Sequence, residues 1–316
     1  MKARAVVFAE AGRLELRDVT LREPAADEVV VDTSFSSISS GTERLLFLGK
    51  LPGMPQLRYP LVPGYEAAGT VLSVGPEVTN VRVGDQVFVG GSMCYTDVAA
   101  AFGGQSSRLI KRAAQVVSLD GVSLGQAPLL ALAATALHGV LRLGDVAGAR
   151  VAVLGMGAVG QLAARFLQAA GAHTVIIDRS PERLATAQGA EKIDVSNIPL
   201  EESLTAPVRH AIEATGDPAE IARCARIVEP GGSIVLLSYY DTLTTPFVDL
   251  FVKEVTLLVS REWSPPDLIA ARDAVASGAV DLEPLARHVV PIERYEHAYQ
   301  TAFNDPSILK VVLQWA

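Results

Sequence analysis

The sequence predicts an α/β protein of two domains, one β-rich and one built on a doubly wound parallel sheet. Three observations carry this. The 316 residues exceed one ordinary domain, at about 150 residues each. The stretch to about Leu124 holds short strand-like runs separated by Gly, Pro and Asp, with no alternation of strand and helix. Beyond it, unbroken apolar strands alternate with helical segments, the pattern of a parallel sheet covered on both faces.

In the first part the expected strands include Arg4–Phe8, Glu28–Thr33, Ala67–Val74 and Gln86–Val89, with Val83-Gly84-Asp85 as a turn. Leu48 to Pro63 carries four prolines and reads as an irregular loop. After Leu124, Arg150–Leu154 is an apolar strand and Ala158–Ala170 a helix, with Gly171 where a left-handed terminal residue belongs. His173–Asp178 is the next strand. Ser180-Pro181 then supplies a cap and a first-turn proline. Further strands are expected at His210–Thr215, Ser233–Ser238 and Val255–Ser260, and a helix at Pro218–Val228. The end is mixed: helices near Asp267–Ser277 and Tyr295–Phe303, then a strand Leu309–Gln314. The resulting division is 1–124, 125–262 and 263–316.

Composition narrows the function. Hydrophobic residues at 49% against 20% charged suffice for a buried core and exclude a disordered chain. A net charge of −8 argues against a nucleic-acid partner, which needs clustered Lys and Arg. Two distant cysteines, Cys94 and Cys224, make no disulfide framework and fit a reduced, cytoplasmic setting. The N-terminus carries charge too early for a signal segment. The most apolar run, Ala127 to Val140, is too short to span a bilayer, so no integral membrane segment is expected.

Gly155-Met156-Gly157-Ala158-Val159-Gly160 carries the chemistry. It follows an expected strand, opens an expected helix, and is answered by Asp178 at the end of the next strand. Gly155 permits the tight turn, Gly157 lets backbone approach a pyrophosphate at the helix start, and Gly160 lets helix and strand pack closely. Asp178 is placed for the adenosine ribose hydroxyls and would repel a 2′-phosphate, which selects NAD. Arg179 beside it would tolerate NADP. The bland reading is a glycine-rich strand–helix turn without a ligand. The whole is a dinucleotide-binding Rossmann unit.

The order of β-rich domain, Rossmann unit and mixed tail, with Tyr59-Pro60-Leu61-Val62-Pro63-Gly64-Tyr65-Glu66-Ala67-Ala68-Gly69 and Val83-Gly84-Asp85-Gln86-Val87, resembles the medium-chain alcohol dehydrogenases along nearly the whole chain. Gly41-Thr42-Glu43, Phe102-Gly103-Gly104, Leu130–His138 and Glu262-Trp263 are similar to the branch that oxidises bacteriochlorophyllide. The resemblance implies a GroES-like catalytic domain made from both ends of the chain, the Rossmann domain between, and an active site in the cleft. It also implies a homodimer joined through the last strand, Val255–Ser260.

The departures from that family are specific. Its zinc enzymes carry Cys near Ser39, His at Tyr65, and a third ligand within Pro128–Ala136, where this chain has no Cys, His, Asp or Glu. Of the donors zinc requires, only Glu66 remains, and the four-cysteine lobe is missing, so no metal is expected. Side chains must then handle the substrate hydroxyl. Thr42 matches the family's relay hydroxyl. Tyr65 stands where the zinc His would be, as a donor to the substrate oxygen or as a space filler. Ser39 completes the set, and Glu66 would orient Tyr65, activate water, or serve as an ion-pair partner. Thr135 resembles the threonine behind the nicotinamide, with Thr215 and Leu237 near that end. Lys310 matches a basic residue that reaches the pyrophosphate. The branch's substrate is a tetrapyrrole whose 3-(1-hydroxyethyl) group becomes 3-acetyl. Leu45, Leu46, Phe47, Leu48, Leu51, Met54 and Leu57 would face the macrocycle. Arg44, Lys50 and Arg58 would meet its propionate, unless they belong to an ordinary solvated loop. His138 is a further candidate at the substrate, beside its reading as a hydrogen-bonded core histidine. A zinc-free quinone or enone reductase, which would favour NADPH, and a non-catalytic nucleotide-binding protein are the competing functions.

Overall fold

Alternation writes the first strand: in Lys2–Glu10 the charged Lys2 and Arg4 face out while Ala3 and Ala5 face in. A computed structural model of the protein describes residues 1–51 and 57–315. It divides into two compact units, Met1–Ala131 with Leu282–Ala316, and Leu132–Asp281. The boundaries expected at 124/125 and 262/263 therefore shift. The turn Ala127–Leu129 is fully buried in the first unit. The helix Pro265–Ala276 stays with the second, where His138 and Asp267 bond at 2.9 Å.

In chain order the first unit opens with β1 (Lys2–Glu10), β2 (Arg13–Thr20), β3 (Glu28–Ile38), α1 (Thr42–Phe47), β4 (Leu61–Val62), β5 (Ala67–Val74), β6 (Gln86–Val89), β7 (Ala99–Ala100), β8 (Arg108–Arg112) and β9 (Val116–Ser118). Helix α2 (Leu130–Leu141) leads onward. The second unit follows as β10 (Arg150–Leu154), α3 (Ala158–Ala169), β11 (His173–Asp178), α4 (Pro181–Thr186), β12 (Glu191–Asp194), α5 (Leu200–Ser203), β13 (Val208–Glu213), α6 (Pro218–Ile227), β14 (Val228–Leu236), α7 (Phe247–Phe251), β15 (Thr256–Val259) and α8 (Pro265–Ala276). The chain returns to the first unit with β16 (His288–Pro291), α9 (Tyr295–Asn304) and β17 (Val311–Gln314).

The first unit is β-rich as expected, with β3 the organising strand. It pairs antiparallel with β5, β8 and β17 in a sheet ordered β16-β17-β3-β5-β6-β9. Two of these pairings bring distant sequence together: Val311 lies opposite Ile38, and Ser37 N–H donates to Glu66 C=O at 2.8 Å. Residues 37, 66 and 310 thus meet at one place. Differences from expectation are local. A short helix, α1, interrupts the β-rich part, and β4 lies inside the stretch expected to be irregular.

In the second unit the order is β12-β11-β10-β13-β14-β15, with every neighbouring pair parallel. This is the doubly wound arrangement, whose strand order reverses between β10 and β13. Ser180 caps α4 through Arg183 N–H, and Gly171 adopts φ 80° after α3. Strand β13 ends at Glu213 rather than Thr215, which places Thr215 and Gly216 in a turn. Among the described residues no helix is long and apolar enough to cross a membrane.

Candidate active site

In the first unit, β3 runs out at Ile38 and the chain turns into α1, presenting Ser39 and Thr42. Gly64 adopts φ 93°, and a Cβ there would meet Gln105 Cγ at 2.6 Å, so the chain turns tightly and sends out Tyr65. The phenol oxygen lies 2.9 Å from Ser39 Oγ, and the Thr42 side chain hydrogen-bonds it as well. Thr42 N–H donates to Ser39 Oγ at 3.3 Å. The Tyr65 ring meets Phe102 edge-on at 5.3 Å. Burial foremost, then the charge of Glu66, pushes the phenol well above its ordinary range. At neutral pH it is therefore a hydrogen-bond donor and not a base.

Two buried acids, Glu66 and Glu43, lie close enough for their charge to act on the Tyr65 phenol. Of the three readings open for Glu66, the contacts are those of the ion-pair partner: its Oε2 is 2.5 Å from Lys310 Nζ and accepts from the Ser37 hydroxyl. Lys310, expected on the pyrophosphate, is 5% exposed and commits its charge to that carboxylate within the first unit. Sheet pairing explains this, because β17 lies directly against β3. The second carboxylate was not singled out by the sequence reading. Glu43 is fully buried and accepts from Ser39 N–H at 3.0 Å, Gln105 Nε2 at 3.2 Å and Tyr299 OH at 2.7 Å. Burial raises its pKa to about 7, against the pull of those donors. The sole hint in the sequence was its place in Gly41-Thr42-Glu43. Tyr299 comes from α9, 256 residues away, and no local pattern foretells that bond.

These residues do not fit a zinc ion. Ser39 and Tyr65 offer neutral hydroxyls bonded to each other, and Glu66 has one carboxylate oxygen, Oε1, without a hydrogen-bond partner. Zinc requires a set of thiolate, imidazole or carboxylate donors. Among the described residues no group of three or more His, Cys, Asp or Glu could hold a metal.

The expected substrate contacts divide. Arg44, Lys50 and Arg58 are exposed and make no ion pair among the described residues. Leu46 and Phe47, expected to face a macrocycle, are corrected to the core: Leu46 is fully buried, and Phe47 stacks edge-on with Phe8 at 5.3 Å. Leu51 and Leu57 pack partly on the same core, whereas Leu48 is exposed. Met54 lies outside the described residues.

In the second unit the nucleotide motif has the geometry its residues imply. Gly155 takes φ 93°. A Cβ on Gly160 would lie 1.8 Å from Gly155 O, so helix and turn touch there, while Gly157, capping α3, has no atom within 4 Å of that position. Ala158 and Val159 begin the helix. Asp178 ends β11 and accepts from Met156 N–H at 2.6 Å and Ser180 N–H at 2.8 Å, so the acid braces the glycine-rich loop. Arg179 is exposed. Thr135 lies in α2, and Leu237 packs on that helix: a Cβ on Gly139 would meet it at 2.8 Å. His138, one turn beyond Thr135 on α2, bonds Asp267 Oδ2 through Nδ1 within this unit. This arrangement fits a nicotinamide dinucleotide, which Gly155, Gly157, Gly160 and Asp178 would hold and which would supply hydride-transfer chemistry.

A GroES-like unit bearing polar groups for an alcohol, with a Rossmann unit for a nicotinamide dinucleotide, defines an oxidoreductase of the alcohol dehydrogenase class. Residues 25–125 match the alcohol dehydrogenase GroES-like domain and residues 158–277 the zinc-binding dehydrogenase domain. The chain belongs to the medium-chain dehydrogenase/reductase family. It is 38% identical over 322 residues to the 2-desacetyl-2-hydroxyethyl bacteriochlorophyllide A dehydrogenase of Cereibacter sphaeroides, covering all of this chain and 99% of that one. It is 36% identical to the enzyme of the same name from Rhodobacter capsulatus, again over all of this chain and 99% of the relative. A short chain alcohol dehydrogenase from Escherichia coli CFT073, solved with NADH, shares the fold at TM-score 0.88, with 21% identity and 99% of each chain covered.

Proposed function

We propose that this protein oxidises the 3-(1-hydroxyethyl) group of a bacteriochlorophyllide-type pigment to 3-acetyl, with NAD as acceptor and without zinc. The carrying observation is the Ser39–Tyr65–Thr42 hydroxyl cluster, with Ser39 and Tyr65 where the family's zinc enzymes hold ligands and Thr42 at its relay hydroxyl, in a chain so similar end to end to the named relatives. Tyr65 donates to the substrate oxygen as hydride leaves for NAD, the substrate's hydroxyl proton passes to solvent water, and the Ser39 and Thr42 hydroxyls, each bonded to the phenol, orient it. Glu66 is committed to its ion pair with Lys310. Asp178 supports NAD over NADP through the ribose hydroxyls. Arg44, Lys50 and Arg58 are exposed cations that suit a propionate.

The protein acts as a cytoplasmic homodimer in this reading. Its two cysteines are free and buried. The outermost strand β15 exposes Val259, and α7 exposes Phe247, Val248 and Phe251, the two phenyl rings stacking at 5.3 Å. The direct test adds NAD and 3-hydroxyethyl bacteriochlorophyllide a to purified protein. NADH should form in step with a shift of the pigment's long-wavelength band. NADH formation from simple secondary alcohols but not from the pigment would overturn the substrate assignment.

A further inference from the structure

Glu213 ends β13 and is fully buried. Its carboxylate is held by several donors. Oε1 accepts from Thr215 N–H at 2.6 Å and from the Thr215 hydroxyl, and Oε2 accepts from the Tyr240 phenol and, at 3.4 Å, from Gly216 N–H. Its own carbonyl accepts from Leu237 N–H at 2.9 Å. No cation pairs with it among the described residues. Burying a carboxylate without a counter-charge is costly, and a neutral residue would serve as filler.

What Glu213 joins explains the charge. Thr215 and Gly216 form the turn after β13. Leu237 to Tyr240 form the segment after β14. These lie outside the carboxyl ends of neighbouring strands, on one side of the point where strand order reverses. The glycine-rich loop and Asp178 hold the adenosine half from β10 and β11. The β13–β14 side is left for the other half. The two segments approach closely, since a Cβ on Gly216 would lie 3.7 Å from Ser238 Cβ and 3.8 Å from Tyr239 O.

We infer that Glu213, with Tyr240, is a positioning residue for the nicotinamide half of the cofactor: its carboxylate clamps the two strand-end segments in the shape that receives that half. This rests on reading the second unit as a nicotinamide dinucleotide site. The experiment compares binding of NADH and of ADP, a probe for the adenosine half alone, to wild type, Glu213→Gln and Tyr240→Phe, with Tm recorded for each. Glu213→Gln should weaken NADH binding about tenfold, leave ADP within about twofold, and raise KM for NAD more than it lowers kcat. Unchanged NADH affinity overturns the inference. So does equal weakening of NADH and ADP, which marks a merely structural group. Should Glu213→Gln fail to fold, Tyr240→Phe decides, with about threefold to tenfold weaker NADH expected and unaltered NADH binding as the refutation. Wild type that binds ADP but neither NADH nor NADPH overturns the dinucleotide reading itself, and the inference with it.

Discussion

Replacing Tyr65 by Phe removes one oxygen and nearly nothing else. The ring keeps its edge against Phe102 at 5.3 Å, and Gly64 still sets the backbone. What is lost is a donor whose pKa burial has raised, so that it stays protonated throughout the working range. A single preorganised donor to a reacting oxygen is worth roughly 2.7–4 kcal/mol, so kcat should fall about 10²- to 10³-fold. Ser39 Oγ loses its partner at 2.9 Å but keeps Thr42 N–H at 3.3 Å, which limits the stability cost to about 1 kcal/mol. The assay is steady-state oxidation of the pigment alcohol, with NADH binding and Tm measured in parallel. NADH affinity should match wild type. A Tyr65→Phe enzyme with kcat within twofold of wild type would refute the argument, because a space-filling ring would behave in that way.

The other expectations are more compact. Asp178→Ala should weaken NAD binding about ten- to a hundredfold by losing charge-assisted bonds to the ribose, and it should narrow any preference over NADP; a fluorescence titration with both cofactors checks this. Elemental analysis should find well under about 0.1 zinc per chain, with activity resistant to chelators, since the donor set lacks Cys and His; about one zinc lost together with activity would sink the reading. Glu43 has a folded pKa of about 7 against 4.5, so the folded state binds more protons between those values. Stability from the protonated form is full below 4.5 and is lost as pH rises to about 7; Glu43→Gln should flatten that part of the Tm-versus-pH curve, and an unchanged slope would show that another group titrates. Light scattering at micromolar concentration should give a dimer, and Val259→Lys at the outer strand should shift it towards monomer.

Much of the molecule was written locally. Apolar runs with glycine and proline punctuation placed β10, β11, β5 and β6 at the expected residues, because periodicity and turn chemistry act within a few neighbours. The nucleotide loop was equally legible, since Gly155 and Gly160 answer to sterics inside one strand–turn–helix. Asp178 ends β11 as expected, although its bond from Met156 N–H was not foreseen. Three decisions belonged to the tertiary structure. Lys310 was drawn to Glu66 because β17 pairs with β3, a register that nothing near either residue specifies. Glu43 became a buried acid through Gln105 and Tyr299, contributed by distant segments. Phe47, apolar and thus equally suited to a substrate or a core, was settled by its ring contact with Phe8 of β1. A sequence states which residues are apolar, charged or free to turn. Which charge meets which, and whether burial makes a carboxyl a proton holder, depends on long-range pairing, and that is fixed only when the sheets close.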